Sequence, residues 1–376
     1  MLFTVQCVLV ATLAVFARAY PNQAGYDLRD SLYQLYRDDG PREALLEDSH
    51  WPNAEIKLGQ VGGLAVAPND NLVVFHRGNR RWSWDTFNSD NTYALKSLGP
   101  IVNDTLVHID TKTGKKTNSH GSNLFYMPHG LTIDAEGNHW LTDVALHQVF
   151  RFPPGAKSAD LTLGTAFIPG DSDTTFCKPT DVAVASNGDF FVADGYCNSR
   201  ILKFSKNGTL LNKWGRSRDS GEELVDDMFK IPHSLSLIEN HDVLCVADRE
   251  DRRVICYNAG IQDPSKTGEP TIYLVQPNEI GRVFAIEYSP LDKLMYAVVD
   301  PSTNNLNARG FAIDMSTGQK LPFGIIEKSV DSQPHDVTVS PNGNDVYLGD
   351  IGTLGSRVYR FSNNQKNYFG KSFGWF

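Results

Sequence analysis

The chain has 376 residues, of which 41% are hydrophobic, and carries 35 Lys and Arg against 44 Asp and Glu, a formal charge of −9. The acidic balance and the absence of basic runs argue against nucleic acid as a partner. Past the amino terminus no segment is long and apolar enough to cross a bilayer.

Residues 1–19 stand apart. Leu2 to Phe16 is apolar and uncharged, and Ala17-Arg18-Ala19 is a small-x-small cleavage signature before Tyr20, which reads as a secretory signal peptide. The mature protein is therefore expected in the secretory pathway, in a granule lumen or outside the cell. Cleavage removes Cys7 and Arg18, so five cysteines become four and the balance becomes 34 − 44 = −10. An even count in an exported chain points to two disulfides. Cys245 and Cys256 occupy facing positions of one charged-turn hairpin and Cys177 and Cys197 flank another repeat, so the pairs are expected within each set. The triplets Asn103-Asp-Thr105 and Asn207-Gly-Thr209 are candidate glycosylation sites. Residues 20–49 read as an N-terminal extension with a short amphipathic helix at Asp27–Tyr36, and 363–376 as a polar, aromatic tail.

Between residues 50 and 362 the chain repeats. Strand starts recur near residues 63, 128, 179, 232, 283 and 334, at steps of about 65, 51, 53, 51 and 51 residues. Each unit holds three or four short strands with period-two alternation, such as Asp181-Val-Ala-Val-Ala, then Asp189-Phe-Phe-Val-Ala-Asp, then Arg200-Ile-Leu-Lys-Phe. Six equal strand-only units predict an all-β, six-bladed β-propeller. The long insertion Asn79–Asn103, with Arg80-Arg81-Trp82-Ser83-Trp84, is either a substrate lid or an aromatic loop packed on its own scaffold.

Three of the ten histidines keep the phase of the repeat. His129, His233 and His335 each follow the proline that opens blades two, four and six, at separations of 104 and 102 residues. Alternate blades stand about 120° apart, so the three imidazoles are expected to converge on the axis as a zinc site with an open fourth position. The second strand of each unit returns to the same face. There Arg77, Tyr196 and Arg249 break the repeat, whereas the aspartates that precede such positions recur and read as turn-tying residues. Two arginines, a phenol and a metal on one face suit a small ligand bearing a carboxylate. His76, which points away from Arg77 in an alternating strand, is not expected to bind the metal directly.

Several longer runs are recognisable. Phe75-His-Arg-Gly78, Asn123-Leu-Phe-Tyr-Met-Pro-His-Gly-Leu131, Leu141-Thr-Asp-Val-Ala-Leu-His-Gln-Val-Phe150, Asp194-Gly-Tyr-Cys-Asn-Ser-Arg200, Val246-Ala-Asp-Arg249 and Pro334-His-Asp336 together resemble peptidyl-alpha-hydroxyglycine alpha-amidating lyase. The resemblance spans roughly residues 50–361. It implies an NHL-like propeller that cleaves a peptide ending in alpha-hydroxyglycine into a peptide amide and glyoxylate, working as a monomer beside a separate copper-dependent peptidylglycine hydroxylase. It implies zinc (Zn2+) on His129, His233 and His335, and Tyr196, Arg77 and Arg249 as catalytic residues. It also implies calcium (Ca2+) on the carboxylate of Asp336 and the carbonyls of Leu64 and Leu131, and it agrees with the disulfide pairing above. The last blade departs from the pattern, with Gln333 where a methionine is usual. A lactonase-type propeller hydrolase, or a non-catalytic propeller that binds proteins, are the competing readings; both are separable by metal content and by glyoxylate release.

Overall fold

The computed structural model describes residues 45–219, 221–277, 279–300, 308–325, 332–352 and 357–362. The expected signal peptide, the segment expected as a helix and the C-terminal tail lie outside the described residues. Among the described residues one short parallel pair, Arg216–Ser217 with Met228–Phe229, accompanies six four-stranded antiparallel sheets. Their innermost strands are Val61–Val66, Pro128–Ile133, Asp181–Val184, Pro232–Ile238, Val283–Ser289 and Pro334–Val339. Each touches the next in cyclic order, and the last touches the first, which closes a six-bladed propeller.

In blades one to five the strands follow chain order. Blade six differs, because its fourth strand comes from the other end of the chain: Leu46 pairs with Ser362 and Glu47 with Phe361. Sequence reading placed these two residues in an extension outside a domain beginning at residue 50; the pairing puts them inside the ring. Two consecutive alternating residues carry too little periodicity to be read as a strand.

Period-two alternation gives each blade two apolar faces, and each face meets a neighbour. Six apolar clusters fill the six seams, for example Leu244, Val246 and Ile255 with Phe191 and Ile201 between blades three and four, and Trp51, Val74 and Ile109 with Tyr347 and Val358 between blades six and one. Each fully buried Val, Leu or Phe contributes roughly 1.5–3 kcal/mol relative to exposure. The recurring aspartates tie the turns above these seams. Asp143 accepts from the backbone N–H groups of Tyr126, Met127, Ala145 and Leu146. Asp194 accepts from Cys177 and Asp248 from Lys230 in the same way.

The inner strands share one irregularity that matters for the site. The register slips at Gly62, at His129–Gly130, and at His233, Phe284 and His335, so a bulge interrupts pairing at the same level in five blades. A bulge inserts an unpaired residue and re-aims its side chain. At this level Gly62 runs so close to blade two that a Cβ would sit 2.7 Å from the His129 carbonyl oxygen and 2.8 Å from that of Pro128. Glycine is the residue type that fits there.

Candidate metal centre and the pocket around it

The bulges turn His129, His233 and His335 onto the axis, where all three are at most 3% exposed. Their ring centroids lie 4.7, 4.8 and 4.9 Å apart, and one nitrogen from each ring lies within 4.8 Å of the others. Every ring is held from behind by the following blade. Nδ1 of His129 donates to the Thr180 carbonyl at 2.8 Å, that of His233 to Phe284 at 2.6 Å and that of His335 to Gly62 at 2.9 Å. A carbonyl oxygen only accepts, so each Nδ1 carries the hydrogen and each Nε2 presents a bare lone pair.

Three lone pairs aimed at one point repel unless a cation lies between them. Burial is the first cause that holds all three histidines well below their ordinary pKa; neighbouring imidazoles add to it at His129 and His233, the Arg77 guanidinium at His129 and His335, and Arg249 at all three, so they remain neutral. Neutral imidazoles with Nδ1 fixed to backbone are the donor set that zinc-type ions take. The residues fit a metal.

The phenol of Tyr196 lies over this centre, with Oη 3.0 Å from Nε2 of His129 and 3.2 Å from Nε2 of His233. Arg249 Nη1 approaches the same oxygen at 3.4 Å, while its Nε is paired with Glu250 at 2.9 Å. Arg77 is 1% exposed. Its Nε donates to the Pro128 carbonyl and its Nη1 to Gln60 Oε1, both at 2.9 Å, while Nη2 is buried without a partner among the described residues. Burial lowers the Arg77 pKa to about 10, opposed by Tyr196 and Asp143. A buried guanidinium with one free N–H arm is a receptor for an anion.

The Asn79–Asn103 insertion packs on its own scaffold and reaches the axial centre. The Trp82 ring lies 4.7 Å from Tyr196 and 6.3 Å from His129, and Phe87 backs it at 5.1 Å. The insertion is also anchored: Lys178 donates to Asn91 at 2.9 Å and covers the Phe87 ring. Trp84, by contrast, is 94% exposed. His76 is kept off the centre, since its Nδ1 accepts from the N–H groups of Gly59 and Gly78. Gln333 is exposed, and its backbone N–H donates to Asp350.

The channel holds a group of carboxylates that sequence reading met only in part. Asp336, next to His335, accepts from the Leu64 N–H at 2.6 Å, and Asp181 of blade three accepts from the Leu235 N–H at 2.8 Å. Burial and then the charge of Asp181 raise Glu287 to about 8 and raise Asp336 well above the carboxylate range; burial raises Asp181 to about 7. Asp181 shares Asp336's place after the blade-opening dipeptide, a signal that was available. Glu287 had none, because its inner strand lacks that dipeptide. An acid raised in the folded state stabilises below its unfolded pKa of about 4.3 and loses that stability as pH climbs through the folded value. In metal-stripped protein Glu287→Gln is therefore expected to raise Tm at pH 8 and to leave it nearly unchanged at pH 4. Thermal melts at the two pH values check this, and equal shifts at both would refute it.

Both disulfides form as expected, Cys177 with Cys197 and Cys245 with Cys256. Cys245 and Cys256 are directly opposed in their hairpin. Asn103 and Asn207 are both exposed.

Comparison with known proteins agrees with this architecture. Residues 176–204 match the NHL repeat. A streptogramin B lyase structure, 12% identical, aligns with a TM-score of 0.50 over 85% of this chain and 97% of its own, a likeness of fold. Peptidyl-alpha-hydroxyglycine alpha-amidating lyase 2 of Drosophila melanogaster is 42% identical over 347 residues, 92% of this chain and 80% of the relative. Peptidyl-glycine alpha-amidating monooxygenase B of Xenopus laevis is 42% identical over 328 residues, 86% of this chain, which spans 36% of that longer protein. With identity at this level running through the blades that carry the three axial histidines, the chain belongs to the peptidyl-alpha-hydroxyglycine alpha-amidating lyase family.

Proposed function

We propose that this protein cleaves peptides ending in alpha-hydroxyglycine to the peptide amide and glyoxylate, with zinc at His129, His233 and His335. The observation that carries the reading is the juxtaposition of three bare Nε2 atoms, the Tyr196 phenol and a buried guanidinium with a free arm. Zinc at the three nitrogens would supply Lewis-acid polarisation of the substrate hydroxyl. Every other part of the reaction falls to side chains.

Arg77 Nη2 and the Arg249 guanidinium take the substrate carboxylate, which places the carbinol carbon beneath Tyr196. Tyr196 Oη takes up the hydroxyl proton, and the Arg249 guanidinium, 3.4 Å from that oxygen, places positive charge beside it. As the C–O bond becomes a carbonyl, the C–N bond breaks and its electron pair leaves on the amide nitrogen. The proton lost at oxygen equals the one gained at nitrogen, so the step consumes no co-reactant. Trp82 closes the site on one side and keeps water from the phenol.

Calcium would be held by the Asp336 carboxylate together with the carbonyls of Leu64 and Leu131, the ligand set implied by the family resemblance, and a cation there would favour the ionised forms of Asp336 and of the neighbouring Asp181 and Glu287. The substrate is supplied by a copper-dependent peptidylglycine hydroxylation step, in keeping with the similarity to the longer peptidyl-glycine alpha-amidating monooxygenase. The two disulfides suit work in the secretory pathway. The test is glyoxylate release from a synthetic peptide ending in alpha-hydroxyglycine. Stoichiometric glyoxylate and peptide amide are expected, and a purified, zinc-loaded protein that releases neither would refute the activity.

A further inference from the structure

Three further histidines meet away from the axis. His108 and His120 sit on the outer strands of blade one, Leu106–Asp110 and Lys116–His120, and His139 opens the second strand of blade two, His139–Asp143. His120 pairs opposite Leu106 and His108 opposite Asn118, so both imidazoles leave the sheet on the face that carries Leu106. That face packs against blade two through Leu106, Phe125, Leu141 and Phe152. The ring centroids are 5.1 Å (His108 to His120), 5.8 Å (His108 to His139) and 5.9 Å (His120 to His139) apart.

A tetrahedral ion bonded to three imidazoles at about 2.0–2.1 Å sets the ring centres about 5 Å apart, close to the spacing here. His108 Nε2 is buried and has no hydrogen-bond partner among the described residues. Burial brings His108 and His139 to about 4 and lowers His120, so the rings are uncharged at neutral pH and their lone pairs are free. The charged groups acting on the trio are the carboxylates Asp104, towards His120, and Asp134, towards His139. Both favour a cation.

We propose that His108, His120 and His139 form a second transition-metal site, which takes a borderline divalent ion of the Zn2+ and Cu2+ class across the seam between blades one and two. The ring planes lie 29–36° from one another. Among the described residues the nitrogens that already converge are those of the axial trio. Binding at the outer trio therefore turns the half-buried rings of His120 and His139 about their side-chain bonds, a motion fast for partly exposed side chains. Once bound, the ion links two blades, so it stabilises the folded ring.

The probe is Zn2+ itself, titrated into the full-length protein with excess Ca2+ present and one equivalent of Zn2+ already on the axis. Equilibrium dialysis with elemental analysis should find a second equivalent, and Tm should rise with it. The double variant His120→Asn, His139→Gln should keep lyase turnover, bind one equivalent and lose the Zn2+-dependent rise in Tm; His120→Asn alone should weaken the second equivalent at least about tenfold. Unchanged turnover reports that the variants fold and separates this result from any failure of the lyase assignment. No second equivalent in the parent protein, or the same uptake by parent and double variant, would overturn the proposal.

Discussion

His233→Ala should abolish stoichiometric zinc and lower lyase turnover by roughly three orders of magnitude. Lewis-acid stabilisation by a bound ion amounts to several kcal/mol, and each 1.4 kcal/mol or so is a factor of ten in rate. The loss should exceed what a void explains, because His233 is held by the Phe284 carbonyl and its removal also withdraws one of the two nitrogens facing Tyr196. Elemental analysis and turnover measured on one preparation test both halves. A variant that keeps one zinc per chain and parental turnover would show that the axial imidazoles do not hold the working ion.

Tyr196→Phe probes the next step while sparing the first. Phenylalanine keeps the ring that Trp82 packs against at 4.7 Å and removes the oxygen that lies 3.0 and 3.2 Å from two histidines. A positioned acid or base contributes typically 10²–10⁴-fold, so kcat should fall by about that factor with zinc content intact and KM little changed. Parental kcat with zinc still bound would remove the phenol from the reaction. Loss of zinc together with activity would instead assign Tyr196 to holding the ion.

Much of this centre was legible because a repeat makes position informative. Pro-His at three of six equivalent starts fixes both level and angle, and Arg77, Tyr196 and Arg249 were visible as departures from recurring aspartates. What escaped was carried by backbone. The bulges that aim the imidazoles, and the carbonyls of Thr180, Phe284 and Gly62 that set their tautomer, have no residue signature. Gln60 is a similar case: it accepts from Arg77 Nη1 and from the Trp82 N–H, and links them to blade six through the Ile351 carbonyl. Those partners are 17, 22 and 291 residues distant, and no local pattern announces such a link. The outer histidines fall out of phase with the repeat and so looked like isolated side chains.

The pairing of Leu46 and Glu47 with Phe361 and Ser362 constrains how the molecule is made. Ribosomes deliver chains amino end first, so this segment must wait, unpaired, until Phe361 and Ser362 have emerged more than 300 residues later. Such a long-separated contact forms late and slowly, leaving a circle with a gap as the species at risk of association through its open edge. Trimming from either terminus as far as this latch would thus be felt in yield and aggregation before it is felt in chemistry.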